Sequence, residues 1–196
     1  MNTFHHKPHL SFVHWVWKSH IKKEATVLDA TLGNGHDSIF ILKEILNAGT
    51  GKLYAIDIQK EAIDSTLKNM QKASLNEFLI GQFHPIKACH STIDQIEIPE
   101  NFDLIVYNLG YLPGADKGIT TLSETTLISI KKALLKLSAF GMITITLYPG
   151  HDEGEVESQH IEAFIQTLDE KSYQVLKLTW QNKKIAPYVI VIQKRD

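Results

Sequence analysis

Asp29 closes the apolar run TVLD, and Gly33 and Gly35 follow it in the stretch VLDATLGNGHDSIF before an amphipathic pattern resumes. A carboxylate at a strand end, then a glycine loop opening a helix, makes a place where backbone and ligand approach closely. A dinucleotide fingerprint would put its third glycine at position 38, where this chain carries Ser38. The loop is therefore not the usual pyrophosphate cradle. A second carboxylate, Asp57 in YAIDIQ, stands 24 positions after Gly33 (57 − 33), close to the ~20-residue offset of an acidic group that binds ribose hydroxyls. Capping of helices is the plainer use of both carboxylates, and the glycines alone would do no more than turn the chain. Cys89 is the single cysteine; it excludes an internal disulfide and reads as a small buried hydrophobe rather than a nucleophile. His5, His6, His9 and His14 have no Cys or carboxylate clustered with them, so no metal is expected.

These residues need a sheet to hold them. Runs 26–31, 52–58, 83–88, 102–109 and 141–149 read as strands, mostly apolar with little alternation, as in parallel strands covered on both faces. Helical patterns fall between them at about 36–48, 60–73, 91–96 and 121–138. A fifth, 153–171, carries Val156, Ile161, Phe164, Ile165 and Leu168 on one face. Runs 173–182 and 185–195 are joined so tightly that they must pair as an antiparallel hairpin. Before all of this, residues 1–25 predict a helical extension, with Phe12, Val13, Trp15, Val16, Trp17 and Ile21, over a sheet edge or beside the site. No repeat or linker divides the 196 residues, so one α/β domain over 1–196 is expected. No run approaches the ~20 apolar residues of a membrane span, and the polar N-terminus is no secretory signal. With one cysteine the chain suits a reducing cytoplasm. A net charge of −2 means that any nucleic-acid partner must meet a local basic patch.

Five strand–helix units closed by a hairpin resemble the class I methyltransferase fold. That fold is Rossmann-like, with a mostly parallel seven-stranded sheet, helices on both faces, and S-adenosyl-L-methionine as its cofactor. Its pattern sets an acidic residue before G-x-G and requires no third glycine. The ligand has an amino acid but no phosphate, so Asp29 or Asp37 suits its ammonium. The resemblance places the cofactor on Asp29, Thr31, Gly33, Asn34, Gly35 and Asp37, with the ribose on Asp57. Adenine falls to Gln59 beside Ile58, and to His90 and Ser91 after the third strand; a helix start is an equal use of Ser91.

On the acceptor side, NLGY at 108–111 falls where amino-methyltransferases carry N/D-P-P-Y/F. There the Asn carbonyl and the next backbone carbonyl accept an amine's N–H bonds, and the aromatic ring packs on the acceptor base. Leu109 and Gly110 replace both prolines here, while Asn108 and Tyr111 keep their spacing. Together DATLGNGHD, AIDIQ, CHST, NLGYLPGADKGITT and YPGHDEG resemble the rRNA-methylase family, from about Val27 to the C-terminus. Within it they are most similar to the members that act on the tRNA wobble uridine. The resemblance implies conversion of 5-aminomethyl-2-thiouridine to 5-methylaminomethyl-2-thiouridine, with the tRNA anticodon loop as partner; an rRNA base or a small-molecule amine is the alternative acceptor. The family's YHGH is YPGH here, so Pro149 replaces a histidine and His151 remains. His151 and Asp116 are the nearest proton acceptors, though His151 equally suits a helix cap and Asp116 a pair with Lys117. Lys22 and Lys23, Lys131, Lys132 and Lys136, and Lys183 and Lys184 are the candidates for phosphate contacts. The histidine-rich terminus reads as RNA-facing, and a homodimer is compatible with the sequence.

Overall fold

The computed structural model describes residues 8–47, 49–76, 81–110, 121–183 and 185–196. Seven strands form one sheet: β1 (Thr26–Asp29), β2 (Lys52–Asp57), β3 (Phe83–Lys87), β4 (Phe102–Asn108), β5 (Leu137–Leu147), β6 (Tyr173–Leu178) and β7 (Tyr188–Lys194). Their order is β3-β2-β1-β4-β5-β7-β6. The first five pair in parallel, and β7 runs antiparallel to both β5 and β6. The expected hairpin therefore forms, with β7 inserted beside β5.

Alternate residues of each strand feed two cores, which is why the runs are apolar throughout. Val27, Leu53, Val106 and Val191 face α1 (Pro8–His20), α2 (His36–Phe40) and α3 (Lys60–Lys72). Leu28, Ile56, Ile105 and Ile190 face α4 (Ser123–Leu135) and α5 (Asp152–Ile165). On α1, Leu10, His14 and Trp17 follow the 3.6-residue repeat; Val13 and Trp17 are buried, and the Trp17 indole donates to Thr144 Oγ1 on β5 (3.1 Å). The N-terminal helix is thus pinned to the sheet beside the site, as one of the two expected placements has it.

Three elements depart from expectation. β5 starts at Leu137 because Leu137 pairs with Phe102 across a register shift. The chain there kinks through Phe140 (φ 61°), and Gly141 packs against the carbonyls of Phe102 and Ser138. The helix expected at 91–96 is a single 3-10 turn, His90–Thr92. α2 continues as a π-helical turn, Ile41–Ile45, where the buried Ile41, Leu42 and Ile45 take over the core face.

Candidate active site

Strand order reverses between β1 and β4, and a cavity of about 980 Å³ opens beyond their carboxyl ends. One end is walled by the glycine loop, the end of β2 and the turn after β3. The other is walled by the end of β4, the segment after β5, and Ile185, Ala186 and Pro187 between β6 and β7.

The glycine loop is held from three sides. Gly33 and Gly35 both take positive φ (53° and 75°), and a side chain on Gly35 would collide with Thr66. α3 supplies the outer clamp: Thr66 Oγ1 donates to the Gly33 carbonyl (3.0 Å), Asn69 Nδ2 to the Asn34 carbonyl (3.1 Å), and Ser65 Oγ to Asn34 Oδ1 (2.8 Å). From β2, Asp57 accepts the Gly33 N–H on one oxygen and the Gln59 N–H on the other, both at 2.9 Å. Asp57 also lines the cavity. From β1, Asp29 accepts from Thr31 N (3.1 Å) and Ser38 Oγ (2.7 Å).

Asp29 and Asp37, interchangeable as ammonium partners in the sequence, separate here. Asp29 is 1% exposed and lies behind the wall. Burial, and then the Asp37 charge, push its carboxyl up to about 7. Asp37 lines the cavity and joins two elements: His14 Nε2 lies 2.7 Å from Oδ1, and Asn108 Nδ2 donates to Oδ2 (2.8 Å). Thr31 also faces the cavity, and its hydroxyl accepts the Asn108 N–H (2.7 Å). Asn34, Gln59 and His90 line the wall as expected, whereas Ser91 and Gly35 stand back from it. Ser91 Oγ pairs with Cys89 Sγ (3.1 Å). His90 is held neutral, burial driving its pKa down to about 4. Its Nδ1 is buried without a hydrogen-bond partner among the described residues.

Asn108 and His151 share the acceptor end, while Tyr111 and Asp116 lie outside the described residues. His151 caps α5, its Nδ1 accepting the Gly154 N–H (3.0 Å). A neutral imidazole that accepts at Nδ1 carries its proton on Nε2. The Glu153 carboxylate lies 3.4 Å from the same Nδ1.

Sequence reasoning passed over Tyr148, which follows β5 and lines the same end. Burial, then the Asp37 charge, push its phenol up to about 12, with Asn108 beside it; it remains a neutral O–H at any working pH. Its position at the carboxyl end of a strand was the available signal. Also missed was the Glu157 clamp. This carboxylate, 3% exposed, accepts from Thr121 Oγ1 (3.0 Å) and Thr126 Oγ1 (2.7 Å). Thr121 Oγ1 in turn accepts the Gly110 N–H (3.0 Å).

The donor end fits the cofactor that the sequence suggests. It has Gly33 at the wall, the Asp57 carboxylate at the end of β2, and a buried His90 imidazole nitrogen without a partner among the described residues. Sheet order, loop and site together define the class I S-adenosylmethionine-dependent methyltransferases. The chain belongs to the family described as "Putative rRNA methylase", whose model matches residues 53–194. A chloroplastic tRNA (mnm(5)s(2)U34)-methyltransferase of Arabidopsis thaliana is 37% identical, over 98% of this chain and 72% of that protein. Among solved structures, a "putative rRNA-methylase" from Clostridium thermocellum superposes with a TM-score of 0.87 at 32% identity, covering 95% of this chain and 97% of that one. A Streptococcus mutans methyltransferase in complex with SAH gives 0.81 at 27% identity, covering 96% and 98%.

Proposed function

We propose that this chain methylates the primary amine of 5-aminomethyl-2-thiouridine at the tRNA wobble position. The observation that carries the reading is the Asn108 amide. Its nitrogen donates to the Asp37 carboxylate, which can only accept, so its oxygen is the end left for an N–H donor. Thr31 fixes the same residue through its backbone. An acceptor held at a cavity wall aligns an amine so that its lone pair, and not an N–H bond, points at the transferred carbon.

At the donor end, Asp57 would accept the ribose hydroxyls, Gly33 would admit the amino-acid end, and His90 Nδ1 and Gln59 would meet adenine. When bound, S-adenosylmethionine supplies an electrophilic methyl on a sulfonium. An alkyl amine is mostly protonated at neutral pH and must shed that proton before it can attack. An exposed anticodon loop suits such a cavity, because an unstacked base enters it at low cost. The Arabidopsis relative, similar over nearly the whole chain, supports this substrate over an rRNA base.

The test is to incubate protein and labelled cofactor with tRNA bearing either the aminomethyl or the unmodified wobble uridine, and with rRNA. Label should appear on the aminomethyl nitrogen alone. Asn108→Ala should slow single turnover roughly 10²-fold while leaving cofactor affinity nearly unchanged. Label on unmodified tRNA, or on rRNA only, would refute the assignment.

A further inference from the structure

An asparagine side chain can sit either way round, and only one of its two orientations serves an amine. In the other, Nδ2 would face the acceptor and repel its N–H bonds. The selecting contact is Asp37, whose Oδ2 takes the Asn108 amide nitrogen at 2.8 Å. Asp37 is itself set by a residue from a distant part of the chain. His14 Nε2 lies 2.7 Å from Asp37 Oδ1, 23 positions away in sequence. The His14 ring is fixed in its turn, stacked on Phe40 at 3.9 Å with 14° between planes, and 5.0 Å from Trp17. Trp17 is buried and tied to β5 through Thr144. A rigid chain of contacts therefore runs from the sheet through α1 to the acceptor amide.

We infer that His14 is a positioning residue for methyl transfer, locking the Asn108 amide through Asp37 with its oxygen left for the acceptor. The inference rests on the amine-methylation reading above. Its physical content lies in what Asp37 does without His14. The groups around Asp37 are Asp29 at the end of β1, the Tyr148 phenol after β5, Asn108 on β4 and His14 on α1. Among the described residues no lysine or arginine pairs with Asp37, so His14 is its one cationic-capable partner. With that contact gone, Asp37 Oδ1 loses the partner that holds the carboxylate in place, and the Asn108 amide loses the fixed acceptor that selects its orientation.

Four variants separate this from a packing role: His14→Phe, which keeps the stack on Phe40; His14→Gln, which restores a donor; Asn108→Ala; and the His14→Phe/Asn108→Ala double. His14→Phe should slow single-turnover methylation of the aminomethyl tRNA about tenfold with cofactor affinity unchanged within about twofold. His14→Gln should recover most of the rate. In the Asn108→Ala background, His14→Phe should cost nothing more, because the group it positions is gone. Multiplying losses, a fall in affinity at unchanged rate, or no recovery with Gln would overturn the inference. A readout independent of substrate is the side-chain amide signal of Asn108, identified by its loss in Asn108→Ala. That signal should shift in His14→Phe and return in His14→Gln, with the rest of the spectrum intact. An unmoved signal sinks the inference, whereas a wild-type protein inactive on every RNA fails the functional reading alone.

Discussion

Asp29 and Asp57 look alike in the sequence, each a carboxylate closing a strand, yet they end in opposite surroundings. Spacing from the glycines singled out Asp57, and the fold brings it to the cavity wall, where it accepts the Gly33 N–H. Nothing local reveals that Asp29 is sealed, since its burial depends on Ser38 and α2 folding back over it. The consequence is a pH-dependent stability. Asp29 titrates at 3.8 when unfolded and at about 7 when folded. Below the lower value both states hold the proton and the native state bears no cost. Between the two values only the unfolded chain ionises, so stability falls as pH rises and levels off above about 7. The full span corresponds to as much as about 4 kcal/mol. Asp29→Asn, which keeps an acceptor for Thr31 N, should remove that decline. Urea unfolding of the cofactor-free protein at pH 5 and pH 8 should show the variant gaining on the wild type as pH rises. Parallel stabilities at both pH values would mean that Asp29 is ionised in the fold.

Strands and hairpin were readable because burial on both faces leaves an unbroken apolar run, and a short connection forces antiparallel pairing. The register shift at Phe102 and Leu104 was not, because it depends on how Leu137 meets β4 and not on its own neighbours. The same reason hid the Glu157 clamp, whose partners lie 31 and 36 positions away. That clamp joins α5, the start of α4 and the end of β4. The Gly110 N–H, the Thr121 hydroxyl and the Glu157 carboxylate form one chain, and Thr121 N donates back to the Gly110 carbonyl (3.0 Å). Thr121→Val removes the middle hydroxyl without changing shape. It leaves the Gly110 N–H without its acceptor and takes one of two hydroxyl donors from a buried carboxylate. A destabilisation of about 1–3 kcal/mol is expected by urea unfolding, with slower methyl transfer, since Gly110 lies two residues beyond Asn108. Unchanged stability together with an unchanged rate would show that the clamp holds nothing that matters.

For the whole molecule the question is how a chain with a net charge of −2 docks a polyanion. Three lysine groups looked equivalent in the sequence, and the fold ranks them. Lys132 is taken up by Asp94 (2.6 Å) and the Ser91 carbonyl (2.7 Å), and Lys136 by Glu100 (3.2 Å). Lys131 lies 5.4 Å from the Phe164 ring on the α5 side, and Lys23 has Glu24 at 3.9 Å. Lys184 is outside the described residues. Lys22 and Lys183 remain, and of the two Lys183 is the one two positions before the Ile185–Pro187 stretch that walls the acceptor end; it is exposed and 5.6 Å from the Trp180 ring. A phosphate flanking a base in the cavity would meet it there. Each phosphate contact releases about one counterion, so Lys183→Ala should weaken binding of an anticodon stem–loop. It should also flatten the slope of log affinity against log salt by about 0.7–0.9. Lys132→Ala should leave that slope alone, because its ammonium is already committed to holding the turn after β3. Fluorescence titrations across a range of salt concentrations measure both. A slope that changes with Lys132 and not with Lys183 would move the RNA path to the donor end of the cavity, beside the turn after β3.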